Sequence, residues 1–347
     1  MRIGIYTHYA HCDAAYFSVR LADFLHAQGA EFGIFSDAPP GKMKCAYDNG
    51  IMHKRKIRFT DWVKQYDAVI WTNPPKIEQI TYAKRHGVCT LIAPMWQELA
   101  RPFRKVMQRA DHVIAMSTEC RELFATVYKF RNVTLIPFDP GLPVTKKQHE
   151  IDGRSVKIFL PWFDRNARCA NSYFLGLLGF LLERMPDARL TVAITSCRFS
   201  PAVAKFFTTL SKKTDGRVTL MRNVPITKRP GLYMQHDVTL FPAECDNYGL
   251  CALTSLYCGT PVLSFALSPQ LDFIHADSNG FLVKTQTDYD ENGVPHAVPD
   301  YQKLMSGLQT MIAEPWHINN LNKKVNYNLV ARKRAFEVGW QTILRMG

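Results

Sequence analysis

An α/β fold built from two doubly wound sheets is what this sequence predicts, and three observations predict it. Short apolar runs alternate with amphipathic stretches along most of the chain. A polar stretch from Asp139 to Asp152, carrying Pro140, Gly141, Pro143 and then Lys146-Lys147, divides that alternation into two halves of similar design. The chain has 347 residues, more than the roughly 250–300 at which single cores stop growing.

The elements follow in order. Arg2 to Thr7 reads as a strand, Ala14 to Ala27 as an amphipathic helix, Gly29 as the turn after it, and Phe32 to Ser36 as the next strand. Ala68 to Trp71, Thr90 to Pro94, His112 to Met116 and Val133 to Pro137 are further short apolar runs with helical segments between them. Such alternation belongs to a parallel sheet covered on both faces. After the divide, Val156 to Leu160 opens a second set: helix Tyr173 to Met185, strand Leu190 to Thr195, helix Ala202 to Lys212 and strand Arg217 to Met221. A βαβ unit around residues 240–262 and a strand from Phe281 to Lys284 complete it.

Bulk properties narrow the class. Hydrophobic content of 47% is ordinary for a globular chain, and no apolar run approaches the ~18 residues a membrane span needs. The opening Met-Arg-Ile-Gly-Ile-Tyr-Thr-His reads as a strand and not as a signal peptide. Nine cysteines lie scattered without C-x-x-C pairs or histidines at zinc spacing, so neither a disulfide frame nor a metal site is expected, and the compartment expected is the cytoplasm. A net charge of +13 points to a polyanionic partner: nucleic acid, an anionic membrane face or an acidic glycan.

The most informative stretch is Leu240-Phe241-Pro242-Ala243-Glu244-Cys245-Asp246-Asn247-Tyr248-Gly249-Leu250, followed by Cys258-Gly259-Thr260-Pro261-Val262. It reads as a buried strand, a polar loop with a glycine, an apolar helix, a turn and a second strand. Ligands in open α/β sheets sit beyond the carboxyl ends of strands, where this loop lies. A loop that feeds a helix N-terminus also presents backbone N–H groups and partial positive charge to an anion.

This stretch resembles the signature of the retaining glycosyltransferases of family 4, which have the GT-B architecture: Pro-Ser-x-x-Glu-Gly-Phe-Gly, a second acid eight residues after the first, then Gly-Thr-Pro-Val. Pro242, Tyr248, Gly249, Gly259, Thr260, Pro261 and Val262 fall on the pattern; Asp246 takes the first acid's place, and Thr254 takes the second's. In the family the second carboxylate usually grips the ribose, so Thr254 departs from the pattern where donor identity is read, and Glu244 is the acid nearest to hand.

The resemblance implies two Rossmann-like domains facing across a cleft: residues 1–145 binding acceptor, residues 154–325 binding the nucleotide sugar, and a final helix, 326–347, crossing back. It implies Arg165 and Arg168, after the first strand of the second half, as the cations that stabilise the leaving diphosphate, with Asp246 on hydroxyls of the donor sugar. Asn247, Tyr248, Gly249 and Leu250, with Glu244 and Thr254, form the donor-binding set. Ser268, Gln270 and Asp272 lie where the family carries a second polar loop. No protein nucleophile and no metal or other cofactor is expected; the co-substrate expected is a UDP-linked sugar.

Acceptor residues are sought in the first half. His11 and Asp13 follow the first strand, and Glu98 is a candidate base. Two basic blocks stand out: Lys42, Lys44, Lys54, Arg55, Lys56 and Arg58 near Trp62 and Tyr66, and Arg101, Arg104, Lys105 and Arg109, of which the first three share a helix face by spacing. A basic stripe with aromatics suits a phosphate backbone or anionic headgroups. The expected acceptor is a hydroxymethylated pyrimidine in DNA, as for phage DNA glycosyltransferases. The alternatives are an anionic lipid or envelope polysaccharide, or a chain that binds without catalysing. The alternative for each basic block is solvated surface, and for Asp246 and Asp13 a helix cap.

Overall fold

The computed structural model describes residues 1–7, 13–37, 51–53, 57–95, 101–145, 155–162, 172–194, 201–222, 224, 228–275, 278–291, 293–323 and 327–346. The chain forms two compact units. Met1–Gly141, Tyr289–Val294 and Ala331–Gly347 make the first, and Leu142–Asp288 with Pro295–Val330 make the second.

The first unit holds a seven-stranded parallel sheet. Its strands are β1 (Ile3–Thr7), β2 (Phe32–Ser36), β3 (Ile51–His53), β4 (Ala68–Trp71), β5 (Cys89–Ile92), β6 (His112–Ala115) and β7 (Val133–Leu135). They lie in the order β3-β2-β1-β4-β5-β6-β7. The helices are α1 (Asp13–Ala27), α2 (Phe59–Val63), α3 (Ile77–Arg85), α4 (Arg101–Met107) and α5 (Thr118–Glu122), the last continuing as a π-helical turn over Leu123–Val127. All β1 and β4 residues are buried, as expected of strands covered on both faces. Gly4 is required in β1 because a Cβ there would stand 2.7 Å from the Trp62 ring. Around that ring, Tyr6 stacks on Phe35 with centroids 5.4 Å apart, and Phe35 packs on Trp62 at 5.1 Å.

A buried ion pair locks this unit. Arg20 on α1 donates to Asp139 Oδ2 at 2.6 Å and to the Asp139 carbonyl at 3.1 Å. The carboxylate is fully buried. Arg332 donates to the Phe138 carbonyl at 2.8 Å, and Phe336 and Trp340 pack against Phe24 and Phe17.

The second unit is a six-stranded parallel sheet of β8 (Val156–Trp162), β9 (Ala188–Ile194), β10 (Val218–Arg222), β11 (Val238–Phe241), β12 (Val262–Phe265) and β13 (Gly280–Val283), ordered β10-β9-β8-β11-β12-β13. Helices α6 (Ser172–Arg184), α7 (Pro201–Lys213), α8 (Arg229–Met234) and α9 (Leu250–Tyr257) alternate with these strands. The paired strands β14 (Gln286–Tyr289) and β15 (Pro295–Val298) follow, then α10 (Tyr301–Ala313) and α11 (Trp316–Lys323); α12 (Tyr327–Met346) comes last, its residues from Ala331 onward belonging to the first unit. In each sheet the order reverses between the first and fourth strands, at β1/β4 and at β8/β11, and such switch points are where doubly wound folds bind ligands.

The α/β prediction holds, with strand ends within about two residues of those read from sequence, as is usual at element boundaries. Short β3, the β14–β15 pair, α10 and α11 were not read from the sequence. Among the described residues no helix is long and apolar enough to cross a membrane.

Candidate functional site

At the carboxyl end of β11 the chain enters the loop 242–249, then α9. Every residue of β11 and α9 is buried, so the loop is held from both sides. Gly249 forms the N-cap with φ +79°, in the left-handed region, and gives no side-chain cap. A Cβ there would run into the Phe273 ring, so glycine is dictated by conformation and by space together. The N-cap residue itself thus offers the first turn of α9 no side chain, and the helix dipole at that end favours an anion.

Asp246 is half-buried in this loop, and the next loop reaches it. Gln270, after β12, donates its Nε2 to Asp246 Oδ2 at 3.1 Å. The Gln270 side chain is 1% exposed, and its Oε1 is buried with no hydrogen-bond partner among the described residues. Asn279 fixes the segment that follows: its Oδ1 accepts from His275 N and its Nδ2 donates to the Phe273 carbonyl, each at 2.8 Å. The structure therefore brings Asp246 and Gln270 together from adjacent strands, and Gln270 is the stronger member of the 268–272 set.

Other members of the donor set have structural partners. The Tyr301 hydroxyl donates a short bond to Glu244 Oε1, and the Glu244 carbonyl accepts from Ala297 N at 2.8 Å. Thr254 is 5% exposed, and its hydroxyl donates to the Leu250 carbonyl at 2.7 Å, one turn back along α9. Tyr248 is 1% exposed, so this residue can offer a ligand its backbone and not its ring; Leu250 is also buried, and Asn247 is half-buried. Arg165 and Arg168 follow β8, the sheet neighbour of β11, and lie outside the described residues.

In the first unit, His11, Lys42, Lys44, Lys54, Arg55, Lys56 and Glu98 lie outside the described residues, as do the side chains of Asp13 and Arg101, which open α1 and α4. Arg104, one of the expected acceptor-side cations, is partly exposed. Its guanidinium sits 3.9 Å from the centroid of the Tyr128 ring and is partly buried there, because a planar cation gains more on an aromatic face than in a solvated stripe. Lys105 stays exposed and lines a different surface from Arg109.

That surface was not visible in the sequence. A cavity of about 810 Å³ opens at the carboxyl ends of β1 and β4, lined by Tyr6, Asp37, Pro74, Gln79, Phe103 and Lys105 among others. Tyr6 donates to Asp37 Oδ2 at 3.4 Å and accepts from Gln79 Nε2 at 3.1 Å. Burial pushes the Tyr6 phenol up to about 12, so it stays protonated at neutral pH. Beside it Thr7, Ser18 and Thr72 form a fully buried hydroxyl chain, with Thr72 Oγ1 2.9 Å from Thr7 Oγ1 and 3.2 Å from Ser18 Oγ.

Two doubly wound parallel sheets, each with polar groups at the carboxyl ends of its switch-point strands, define the GT-B fold. The solved structures it resembles carry that architecture. Sucrose-phosphate synthase from Thermosynechococcus elongatus is similar at 15% identity over 100% of this chain and 98% of that one, with a TM-score of 0.69. HepE from Anabaena, solved with UDP-glucose, matches at 12% identity over 99% and 100%, with a TM-score of 0.70. The lipopolysaccharide outer core galactosyltransferase WaaB matches at 13% identity over 96% and 98%, with a TM-score of 0.63. No family model matches the sequence, and no curated protein sequence does.

Proposed function

We propose that the protein is a glycosyltransferase that moves a sugar, with retention, from a UDP-linked donor to a hydroxyl of a polyanionic acceptor. The observation that carries this reading is the pairing of Asp246 with Gln270 beside the glycine-opened N-terminus of α9. A carboxylate fixed at that edge can accept hydroxyl protons of a donor sugar, while the helix terminus faces its diphosphate. Donor cleavage places negative charge on the departing diphosphate, and Arg165 and Arg168, which follow β8 in the sequence, are the cations expected to meet it. The UDP donor draws support from HepE, whose structure was solved with UDP-glucose.

For the acceptor, the +13 net charge supports a polyanion. DNA carrying hydroxymethylated pyrimidines fits, and would need its base exposed in the groove or flipped out. An anionic envelope glycan is the second reading, favoured by the likeness to WaaB, a lipopolysaccharide galactosyltransferase. The test is mass spectrometry after incubation with a panel of nucleotide sugars, with hydroxymethylated duplex DNA and an isolated envelope glycan as acceptors in parallel. A hexose or pentose gain on either acceptor establishes transfer and its class. UDP-sugar binding without gain on either would move the acceptor elsewhere, and no donor binding would leave a non-catalytic protein.

A further inference from the structure

The carboxyl edge of the first sheet is not its only concave surface. At the opposite edge, where β6 and β7 begin and where α3 and α4 end, lies a depression of about 640 Å³. Arg85, Arg109 and Arg131 line it, and all three are exposed. None of these guanidinium groups pairs with a carboxylate among the described residues. The acid within the depression, Asp111, is already committed. It takes Lys84 Nζ at 2.6 Å and Thr90 N and Oγ1 at 2.9 and 2.7 Å. Burial alone would raise the Asp111 carboxyl, but the bonds from Lys84 and Thr90 outweigh it and hold the group below its usual range. Three arginines are therefore left uncompensated around one hollow.

Compensation of helix dipoles explains part of this arrangement, since Arg85 ends α3 and Arg109 follows α4. It does not explain Arg131, which lies in the turn before β7. Nor does it explain why three arginines from distant segments line one hollow, with Met107 and Phe130 buried behind it. A volume of this size falls in the range of small-molecule sites, roughly 300–1,000 Å³. Guanidinium forks match phosphate oxygens two at a time. A nucleic acid duplex, by contrast, would ride over the arginines without entering the hollow.

We propose that this depression binds the phosphate of a phosphorylated sugar, at a site separate from the carboxyl edge of the same sheet. The sugar part of that ligand rests on the glycosyltransferase reading; the phosphate part rests on the arginines alone. A site here would hold a phosphorylated saccharide away from the chemistry, as an anchor for a longer acceptor.

Calorimetric titration of the full chain with glucose 6-phosphate tests this, with glucose and a short DNA duplex as the other probes. The comparison is with the Arg85→Ala/Arg109→Ala/Arg131→Ala variant. The site predicts binding of glucose 6-phosphate but not glucose, weakened roughly tenfold or more in the variant because the charge-assisted bonds are lost. Equal binding by both proteins would overturn it. Duplex binding that falls in the variant, with no glucose 6-phosphate binding by the wild type, would also overturn it and make the surface a nucleic-acid face. UDP-glucose titration separates the two readings: retention in the variant shows an intact fold. No UDP-sugar binding by the wild type, with arginine-dependent phosphosugar binding, would sink the glycosyltransferase reading and leave this site standing.

Discussion

Both sheets place their switch point between the first and fourth strands, but they equip the carboxyl ends of those strands differently. In the second unit the polar groups come from two consecutive loops, and they touch: Gln270 holds Asp246 beside the N-terminus of α9. In the first unit the corresponding edge is a cavity whose polar contacts, Tyr6 with Asp37 and Gln79, come from separate segments. A loop whose two carboxylates, Asp246 and Glu244, are each held by a hydrogen bond suits a ligand of constant chemistry, such as the proposed nucleotide sugar. A roomy cavity whose wall mixes charged groups, Asp37, Lys76, Glu78 and Lys105, with the neutral Tyr6 and Gln79 can take ligands of more varied chemistry. The frame behind each edge differs as well. The first unit depends on a buried ion pair between α1 and the segment after β7, whereas α9 is packed by apolar contacts and hydroxyl bonds such as Thr239 to Ser255 at 2.7 Å.

The largest expected effect breaks the frame of the first unit. Asp139→Ala leaves the Arg20 guanidinium in its buried position without its carboxylate, which costs about 3–5 kcal/mol for a broken buried pair. Chemical denaturation should show the loss. A change near zero would mean that Arg20 finds another partner or water, and that the two frames do not differ in kind.

At the edge of the second sheet, the proposed function predicts effects on turnover. Arg165→Ala should lower it by roughly 100-fold if the residue meets leaving-group charge. Asp246→Ala should lower it by roughly 10- to 100-fold through loss of charged hydrogen bonds to the donor. Steady-state kinetics with a fixed acceptor would read both. An Asp246→Ala effect confined to acceptor KM would detach this carboxylate from the donor.

Gln270 sharpens the comparison because its bond is poor for folding and good for orientation. One amide nitrogen is satisfied by Asp246 while the buried Oε1 is not, so the residue adds little net stability. Gln270→Leu should therefore leave Tm nearly unchanged while kcat falls by roughly tenfold, as expected when a neutral donor to a carboxylate is removed. Gln270→Glu adds a pH signature. Protonated, the new carboxyl can still donate to Asp246; ionised, it repels it, so activity should fall with rising pH along a limb absent from the wild type. Parallel loss of Tm and kcat in Gln270→Leu would show a structural role only.

The two edges also differ in how far sequence reveals them. The loop 242–249, its glycine and the strand after α9 are contiguous, so one stretch of chain carried both the fold assignment and Asp246. Gln270 was visible only as one polar residue in a loop, since nothing in a sequence says which adjacent loop it will lean on. The cavity at Tyr6 was invisible, because a tyrosine inside an apolar strand reads as core until Asp37 and Gln79 are seen around its hydroxyl. Arg104 makes a related point: helical spacing groups it with Arg101 and Lys105, but spacing does not reveal that Tyr128 offers it a ring. The depression at Arg85, Arg109 and Arg131 draws on three distant segments, and no local pattern announces it.

The smallest effect at neutral pH, and the most selective, concerns Tyr6. Burial holds its phenol neutral in the folded state up to about 12, against 10.0 in an unfolded chain. A raised folded-state value means that the stabilisation is complete below pH 10 and is lost as pH rises toward 12, because the unfolded chain releases its proton first. The first unit should therefore weaken across that alkaline window. Tyr6→Phe removes the titrating group while keeping the ring stacked on Phe35, so its unfolding free energy should be flatter over the same range. It also removes the hydroxyl that joins Asp37 to Gln79, and with it one feature of the cavity wall. If the hydroxyl helps to bind acceptor, Tyr6→Phe raises acceptor KM at pH 7 and leaves donor KM alone. If acceptor KM is unmoved, the hydrogen bonds at Tyr6 only shape the unit, and the contrast between the two edges loses its best-defined residue in the first.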